Sequence, residues 1–308
     1  MNGTADAPWT VSRLLAWTRD YLQQRDIASP RLCAEVLLAH AMGCERLHLF
    51  TQFNDVPAKP VLDQFRAAVR EAATGKPIAY IVGSKDFFSM RFAVTPDVLI
   101  PRPETETLVE RVISLVRAEA DPASPPRILD VGCGSGCICI SLAKHLPDAT
   151  IFASDVSEAA LNIAKKNAET LGVADRIDFR LGSLFEPWRN EVFTCIVSNP
   201  PYIPDNQPDA LEKSVRDHEP HTALFAGNDG LAIIRPLVDQ SPRYLTDDGE
   251  LLLEIAFDQA APVTTLFDEA GWPDVRTYKD MAGHDRIIHA RRIARVCSLD
   301  GERRGIVA

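Results

Sequence analysis

No apolar run in this 308-residue chain approaches the roughly 18 residues needed to cross a bilayer. Its first residues, Met1-Asn2-Gly3-Thr4-Ala5-Asp6, lack the basic and apolar segments of a secretory leader, and they are not Arg-rich like a transit peptide. A cytoplasmic protein with no membrane partner is expected. Basic residues are outnumbered: 33 Lys and Arg against 43 Asp and Glu give a formal net charge of −10. Nucleic-acid affinity rests largely on Lys and Arg. The balance therefore argues against a broad phosphate-binding surface, leaves room only for a local basic patch, and predicts no direct nucleic-acid partner. A disulfide frame is also missing. The seven cysteines (Cys33, Cys44, Cys133, Cys137, Cys139, Cys195 and Cys297) are odd in number and sit mostly in apolar or regular segments, which fits reduced, buried thiols. Cys133, Cys137 and Cys139 contain no CxxC pair, so no metal is expected. There is no internal repeat.

What is present is enough apolar sequence, 46% of the residues, for one large core or two ordinary ones. Residues 1–75 read as an all-helical bundle. Val11, Leu14, Leu15, Trp17 and Leu22 follow near-helical spacing, and Ser29-Pro30 reads as an N-cap with proline at the first helical position of a helix ended by Gly43. A further helix runs from about Val61 to Thr74. Residues 76–104 read as a linking β-hairpin, with Ile78–Gly83 and Phe87–Val94 as its apolar, aromatic-rich arms. A helix follows from about Thr105 to Ala118. From Arg127 onward strands and helices alternate, which implies an α/β fold: a mostly parallel sheet of seven strands with helices on both faces. The expected strands are 128–131, 150–154, 177–181, 193–198, 250–255, 275–278 and 287–290; the expected helices cover about 137–146, 157–171, 230–245 and 258–270. Residues 293–308 have no periodicity and read as a disordered tail.

Two segments carry chemistry. Ile128-Leu129-Asp130-Val131 runs into Gly132-Cys133-Gly134-Ser135-Gly136 and then a helix. The glycines permit a tight turn and close approach of a ligand, while Cys137 stands where a dinucleotide fingerprint requires glycine. Asp155, closing the second strand, suits ribose hydroxyls, and Asp130 suits a cationic sulfonium better than a phosphate. This pattern points to S-adenosylmethionine rather than a dinucleotide. The second segment is Asn199-Pro200-Pro201-Tyr202. It follows the apolar strand 193–198, and its prolines forbid a helix. A rigid loop thus holds an amide and an aromatic ring at the carboxyl end of a strand, where open α/β sheets bind ligands. That pairing suits a planar NH2 group awaiting chemistry on its nitrogen. Together the two segments indicate an N-directed methyltransferase.

Further segments make the chain resemble the protein-(glutamine-N5) methyltransferases of class I peptide chain release factors, the HemK/PrmC family. They are Ser29-Pro30-Arg31 with Ala34–His40, Gly75–Gly83, Leu99-Ile100-Pro101-Arg102-Pro103-Glu104-Thr105-Glu106, the Gly132–Gly136 loop, Ser198–Ile203 and Glu219-Pro220-His221; the likeness spans residues 10–292. It implies a Rossmann-like class I methyltransferase domain over 105–292. It also implies an S-adenosylmethionine site at Gly132, Cys133, Gly134, Ser135, Gly136 and Asp155, with adenine near Leu184 and Asn199 touching both methyl donor and substrate. Asn199, Pro200 and Tyr202 are the implied catalytic residues, and with Pro201 they would hold the substrate glutamine of a Gly-Gly-Gln tripeptide. The implied product is S-adenosylhomocysteine, and the implied partner is a release factor docked by the N-terminal helices of a monomer.

The chain departs from the family at Ser183, where Asp is common, at Ser89, a frequent hairpin glycine, and at Cys33, a common Asp. Glu104 and Glu106 either close the cofactor site or cap the next helix, and His218, Glu219 and His221 are candidates for its entrance. Other readings are a nucleic-acid adenine methyltransferase, a glutamine methyltransferase of a ribosomal protein, and a non-catalytic module with a degenerate methyltransferase fold. The charge balance, the Arg102–Glu106 segment and the intact loop with Asp155 and Asn199 argue against them in turn.

Overall fold

The computed structural model describes residues 8–119, 121 and 123–293. The tail expectation and Cys297 lie outside the described residues. Four helices form the amino-terminal part: α1 (Val11–Gln23), α2 (Pro30–Met42), α3 (Arg46–Thr51) and α4 (Lys59–Ala73). Their shared core contains Leu22, Leu37, Leu38, Leu49 and Phe65. Thr10 caps α1 by accepting the Arg13 N–H at 3.4 Å. Ser29 does not act as the expected cap: its backbone is left-handed (φ 49°) and its side chain makes no capping bond. Gly43, with φ 63°, closes α2 as expected.

The segment Ile78–Val82, expected as a hairpin arm, is instead helix α5. A five-residue apolar run does not distinguish helix from strand by periodicity; packing decides. Ile78, Ile81 and Val82, at helical spacing, join the bundle core. Tyr80 packs against Val94, Val98 and Ile100, and its hydroxyl donates to the Val98 carbonyl at 2.7 Å. The hairpin itself is β1 (Ser84–Phe87) and β2 (Met90–Ala93). Phe88 and Ser89 both take positive φ (48° and 60°), the geometry of a tight turn matched to strand twist. Glu106 stabilises that turn by accepting the Phe88 N–H at 2.8 Å.

The remaining elements are α6 (Pro103–Ala118), β3 (Arg127–Val131), α7 (Cys137–His145), β4 (Thr150–Asp155), α8 (Glu158–Thr170), β5 (Ile177–Leu181), β6 (Phe193–Ser198), α9 (Lys213–His218), α10 (Ile234–Gln240), β7 (Leu245–Glu254), α11 (Ala260–Glu269), β8 (Asp274–Lys279) and β9 (Asp285–Arg291). The strands form one sheet in the order β5-β4-β3-β6-β7-β9-β8. Pairing is parallel from β5 to β7, and β9 runs antiparallel to both β7 and β8. The seven-stranded, mostly parallel sheet is thus as read from the alternation of elements. α10 is shorter than the expected 230–245: it begins only at Ile234, and residues 241–243 tighten into a 3-10 turn. One face of the sheet packs against Leu108, Val112, Ile140 and Leu161 of α6, α7 and α8. The other packs against Ile234, Leu237, Val263 and Phe267 of α10 and α11. Central strands buried on both faces explain the near-continuous apolar runs.

Candidate active site

The sheet order reverses direction between β3 and β6, and the carboxyl ends of strands at such a point are where doubly wound sheets bind ligands. A cleft of about 1070 Å³, part of it open to solvent, lies there. Its lining brings together Gly132, Cys133, Gly134, Ser135, Asp155, Leu184, Asn199, Pro200 and Pro201. The glycine loop and the Asn-Pro-Pro segment, 63 residues apart from Gly136 to Asn199, therefore share one cavity.

The loop is held from three sides. Gly132 and Cys133 donate N–H bonds to the Ser154 carbonyl at 2.8 and 3.0 Å. Asn167 on α8 donates to the Ser135 carbonyl at 2.9 Å and exchanges two bonds with Ala93 of the hairpin. Gly136 (φ 82°) lies outside the cleft lining and has a packing role: a Cβ there would come within 2.8 Å of Ile140 Cδ1 and 3.2 Å of Ala164 Cβ.

Asp155 faces the cleft with both carboxylate oxygens already engaged. Oδ2 accepts the Gly134 N–H at 2.8 Å and Oδ1 the Ser157 N–H at 2.9 Å. An ionised carboxylate offers about four acceptor positions, so capacity for two hydroxyls remains. Asp130 does not play the part read for it. It is fully buried beneath the loop, where its Oδ2 accepts the Cys139 N–H at 3.1 Å and its Oδ1 has no partner. Burial pushes its carboxyl up to about 7. A strand-end side chain pointing into the α7 interface cannot meet a ligand, and sequence does not reveal that direction where both sheet faces are apolar.

Asn199 donates from Nδ2 to the Thr105 hydroxyl at 3.1 Å, and its Oδ1 has no partner among the described residues. Tyr202 is outside the cleft lining; its ring packs against the α10–α11 core, and its carbonyl accepts a bond from Gln259 at 2.9 Å. Burial raises its phenol to about 12. Leu184 adopts a left-handed backbone (φ 48°) at the cleft wall, a conformation that costs a non-glycine residue energy. Ser183 beside it is exposed.

Glu219 is a buried anchor. It pairs with Arg102 at 2.6 Å and accepts the Ile100 N–H at 3.0 Å, fixing the segment that enters α6. His218 and His221 hydrogen-bond to the carbonyls of Ser214 and Arg216, and the His221 ring meets Phe225 edge-on. Glu106 neither caps α6 nor lines the cleft; it holds the hairpin turn. No group of His, Cys, Asp and Glu that could hold a metal occurs among the described residues.

The PrmC N-terminal domain family matches residues 13–83, and the Methyltransferase small domain family matches residues 114–218. A release factor glutamine methyltransferase of Rhodopirellula baltica is 41% identical over 289 residues, covering 93% of this chain and 98% of that relative. The chain belongs to the release factor glutamine methyltransferase family. A relative of the same description from Geobacter sulfurreducens is 41% identical and covers 92% of this chain and 97% of its own length. Among solved structures, the hMettl16 catalytic domain in complex with MAT2A 3'UTR hairpin 6 superposes with a TM-score of 0.55 at 18% identity, over 73% of this chain and 81% of that one. That likeness concerns the fold alone.

Sequence reading missed several residues of this enzyme that line the cleft or lie behind it. Val156, 63% exposed, follows Asp155 on the cleft wall; an apolar residue straight after a strand-ending acid was the available signal. Thr105 stood inside a quoted motif without a role. Asn167 and Glu254 carried no local signal, because their partners are distant in sequence.

Proposed function

We propose that the enzyme transfers the methyl group of S-adenosylmethionine to the side-chain amide nitrogen (N5) of the glutamine in the Gly-Gly-Gln tripeptide of class I release factors, leaving S-adenosylhomocysteine. The observation that carries this reading is one cavity lined by the glycine loop, Asp155 and Asn199, whose amide oxygen has no partner among the described residues. The residues fit the donor. Cβ positions at Gly132 and Gly134 meet no protein atom within 4 Å, so backbone can approach a ligand closely. Asp155 keeps two acceptor positions for ribose hydroxyls, and Leu184 and Val156 offer apolar surface for adenine. When bound, S-adenosylmethionine supplies a methyl group on a sulfonium, a very good leaving group.

The chain's own work is placement and electrostatics. A glutamine amide nitrogen is a poor nucleophile because its lone pair is delocalised. The Asn199 Oδ1 and the Pro200 carbonyl accept its two N–H bonds, orient it and offset the positive charge that develops as the N–C bond forms. Alignment of this kind supplies roughly 7–11 kcal/mol. The methylated nitrogen then releases one proton to water, and no general base is needed. Pro201 stiffens the loop, and Tyr202 anchors it through its carbonyl and ring. The N-terminal helices dock the release factor. A groove there is lined by Trp9, Trp17, Tyr21 and Phe65, and Arg25 lies 3.7 Å over the Tyr21 ring. The acidic net charge supports a protein over a nucleic acid as acceptor.

The test is transfer of labelled methyl to a release factor. Asn199→Ala is expected to abolish most of the labelling while S-adenosylmethionine still binds. Labelling that survives Gln→Ala in the tripeptide overturns the substrate, and equal labelling by Asn199→Ala overturns the role of Asn199.

A further inference from the structure

S-adenosylmethionine carries a sulfonium, an α-ammonium and an α-carboxylate. The acceptor in the proposed reaction, the Gly-Gly-Gln tripeptide, is uncharged. The α-carboxylate is therefore the one anion that this chemistry brings into the cleft. We infer that Arg102 holds that carboxylate, and that Glu219 is the positioning residue that keeps the guanidinium in place for it. The inference rests on the donor in the proposed function and not on the acceptor.

The cleft offers a single cationic partner. Among the described residues that line it, Arg102 is the only Lys, Arg or His, and the acidic residues are Asp97 and Asp155. A carboxylate held beside two aspartates with no cation would be poorly placed, because a charge leaving water needs a partner. A guanidinium meets a carboxylate with parallel N–H donors in a fork that matches its two oxygens. Arg102 has donors to spare. Its Nη2 gives a hydrogen bond to Glu219 Oε1 at 2.6 Å, and its side chain makes no other among the described residues. A guanidinium has five N–H donors, so Nε–H and both Nη1–H remain for a ligand. The Arg102 side chain is 31% exposed against 1% for Glu219. The pair thus shows its cation to the cleft and hides its anion.

The guanidinium is also held before any ligand arrives. Glu219 Oε2 accepts the Ile100 N–H at 3.0 Å while Oε1 takes Arg102. Ile100 in turn packs with Tyr80, Val94 and Val98. One buried carboxylate therefore ties down both the backbone and the side chain of the segment that enters α6. A group already ordered in this way binds with less entropic cost. Pro101 and Thr105, on either side of Arg102, line the same cleft. The amino end of α6, which has no side-chain cap, adds partial positive charge there. A pair that only braced the chain would treat every ligand alike, whereas a carboxylate partner discriminates.

The experiment measures binding to the full chain by calorimetry, with S-adenosylhomocysteine, its decarboxylated analogue, and 5′-methylthioadenosine, which lacks the whole amino-acid end. Wild type is expected to bind S-adenosylhomocysteine roughly tenfold to a hundredfold more tightly than the decarboxylated analogue. In Arg102→Gln that ratio is expected to fall close to one, with affinity for 5′-methylthioadenosine unchanged. Arg102→Gln leaves Glu219 buried and unpaired, so the double variant Arg102→Gln/Glu219→Gln, which leaves no charge behind, is measured beside it with the same expectation. Glu219→Gln alone keeps an acceptor for Ile100 but loosens the hold on Arg102, and is expected to lower the ratio in part. A wild type that binds S-adenosylhomocysteine and its decarboxylated analogue equally overturns the inference, as does a ratio that persists in the double variant. Parallel loss of all three ligands in the double variant makes Arg102 a brace and overturns it too. A ratio untouched by Glu219→Gln removes the positioning role. A chain that shows the expected ratios but methylates no release factor leaves the inference standing and overturns the proposed acceptor; a wild type that binds none of the ligands overturns the proposed donor.

Discussion

Replacing Asp130 by asparagine tests the electrostatic account of the loop. Asp130 is fully buried, with one oxygen unpartnered and the other accepting a single N–H. Its carboxyl is raised from 3.8 to about 7, first by burial and lastly by the charge of Asp155, against the opposing hydrogen bonds from Cys139. A raised carboxyl pKa means that the folded chain holds the proton more tightly than the unfolded one. The stability contributed is fully present below 3.8 and is lost as pH rises through 7. At about 1.36 kcal/mol per pH unit, the cost well above pH 7 is roughly 4 kcal/mol. Between pH 5 and pH 8 the titration of the two states makes it grow by roughly 2–3 kcal/mol. That is a large fraction of a domain stability of roughly 5–15 kcal/mol. In the Asp130→Asn variant the amide oxygen would still accept the Cys139 N–H, the side chain would carry no charge, and any cost of its extra NH2 is independent of pH. Glu254 titrates in the same direction in both proteins and cancels. Urea unfolding at the two pH values is expected to show Asp130→Asn gaining on wild type by that increment. Parallel stabilities at pH 5 and pH 8 would refute the reasoning.

Two further outcomes follow from the loop and its anchor. Gly136→Ala forces a side chain into a left-handed backbone against Ile140 and Ala164 and should cost about 2–3 kcal/mol in urea unfolding. Gly134→Ala, with φ 54° and no protein atom near its Cβ, should cost only about 1 kcal/mol yet weaken S-adenosylmethionine binding in calorimetry; the opposite ranking would sink the division between packing and ligand glycines. Glu219→Ala orphans the Ile100 N–H and leaves Arg102 unpaired, an expected loss of about 2–3 kcal/mol. A melting temperature equal to wild type would dismiss Glu219 as an anchor.

The parts of the site that were legible are those whose causes are local. Strand, glycine turn, helix and Asp155 follow one another in the chain, and the glycines' positive φ values at 132, 134 and 136 are the backbone requirement their composition announces. The Asn-Pro-Pro loop is likewise short-range stereochemistry. Ser29 shows the limit of such reading: a good capping residue went unused because its backbone is left-handed. Ile78–Val82 shows another, since an apolar run of five residues fits a strand or a helix until its neighbours exist.

Periodicity and turn chemistry alone were thus sufficient for the parallel sheet, the cleft at its reversal point and the two loops that meet there, because hydrophobic alternation and proline or glycine geometry act over a few residues. Folding was required to settle which side chains face that cleft and which brace it. Asp130 turns inward, Tyr202 anchors rather than lines, Thr105 reaches Asn199 across 94 residues of chain and Arg102 reaches Glu219 across 117. Contacts at such separations depend on how whole layers stack, and no local pattern encodes the direction in which a buried polar group points.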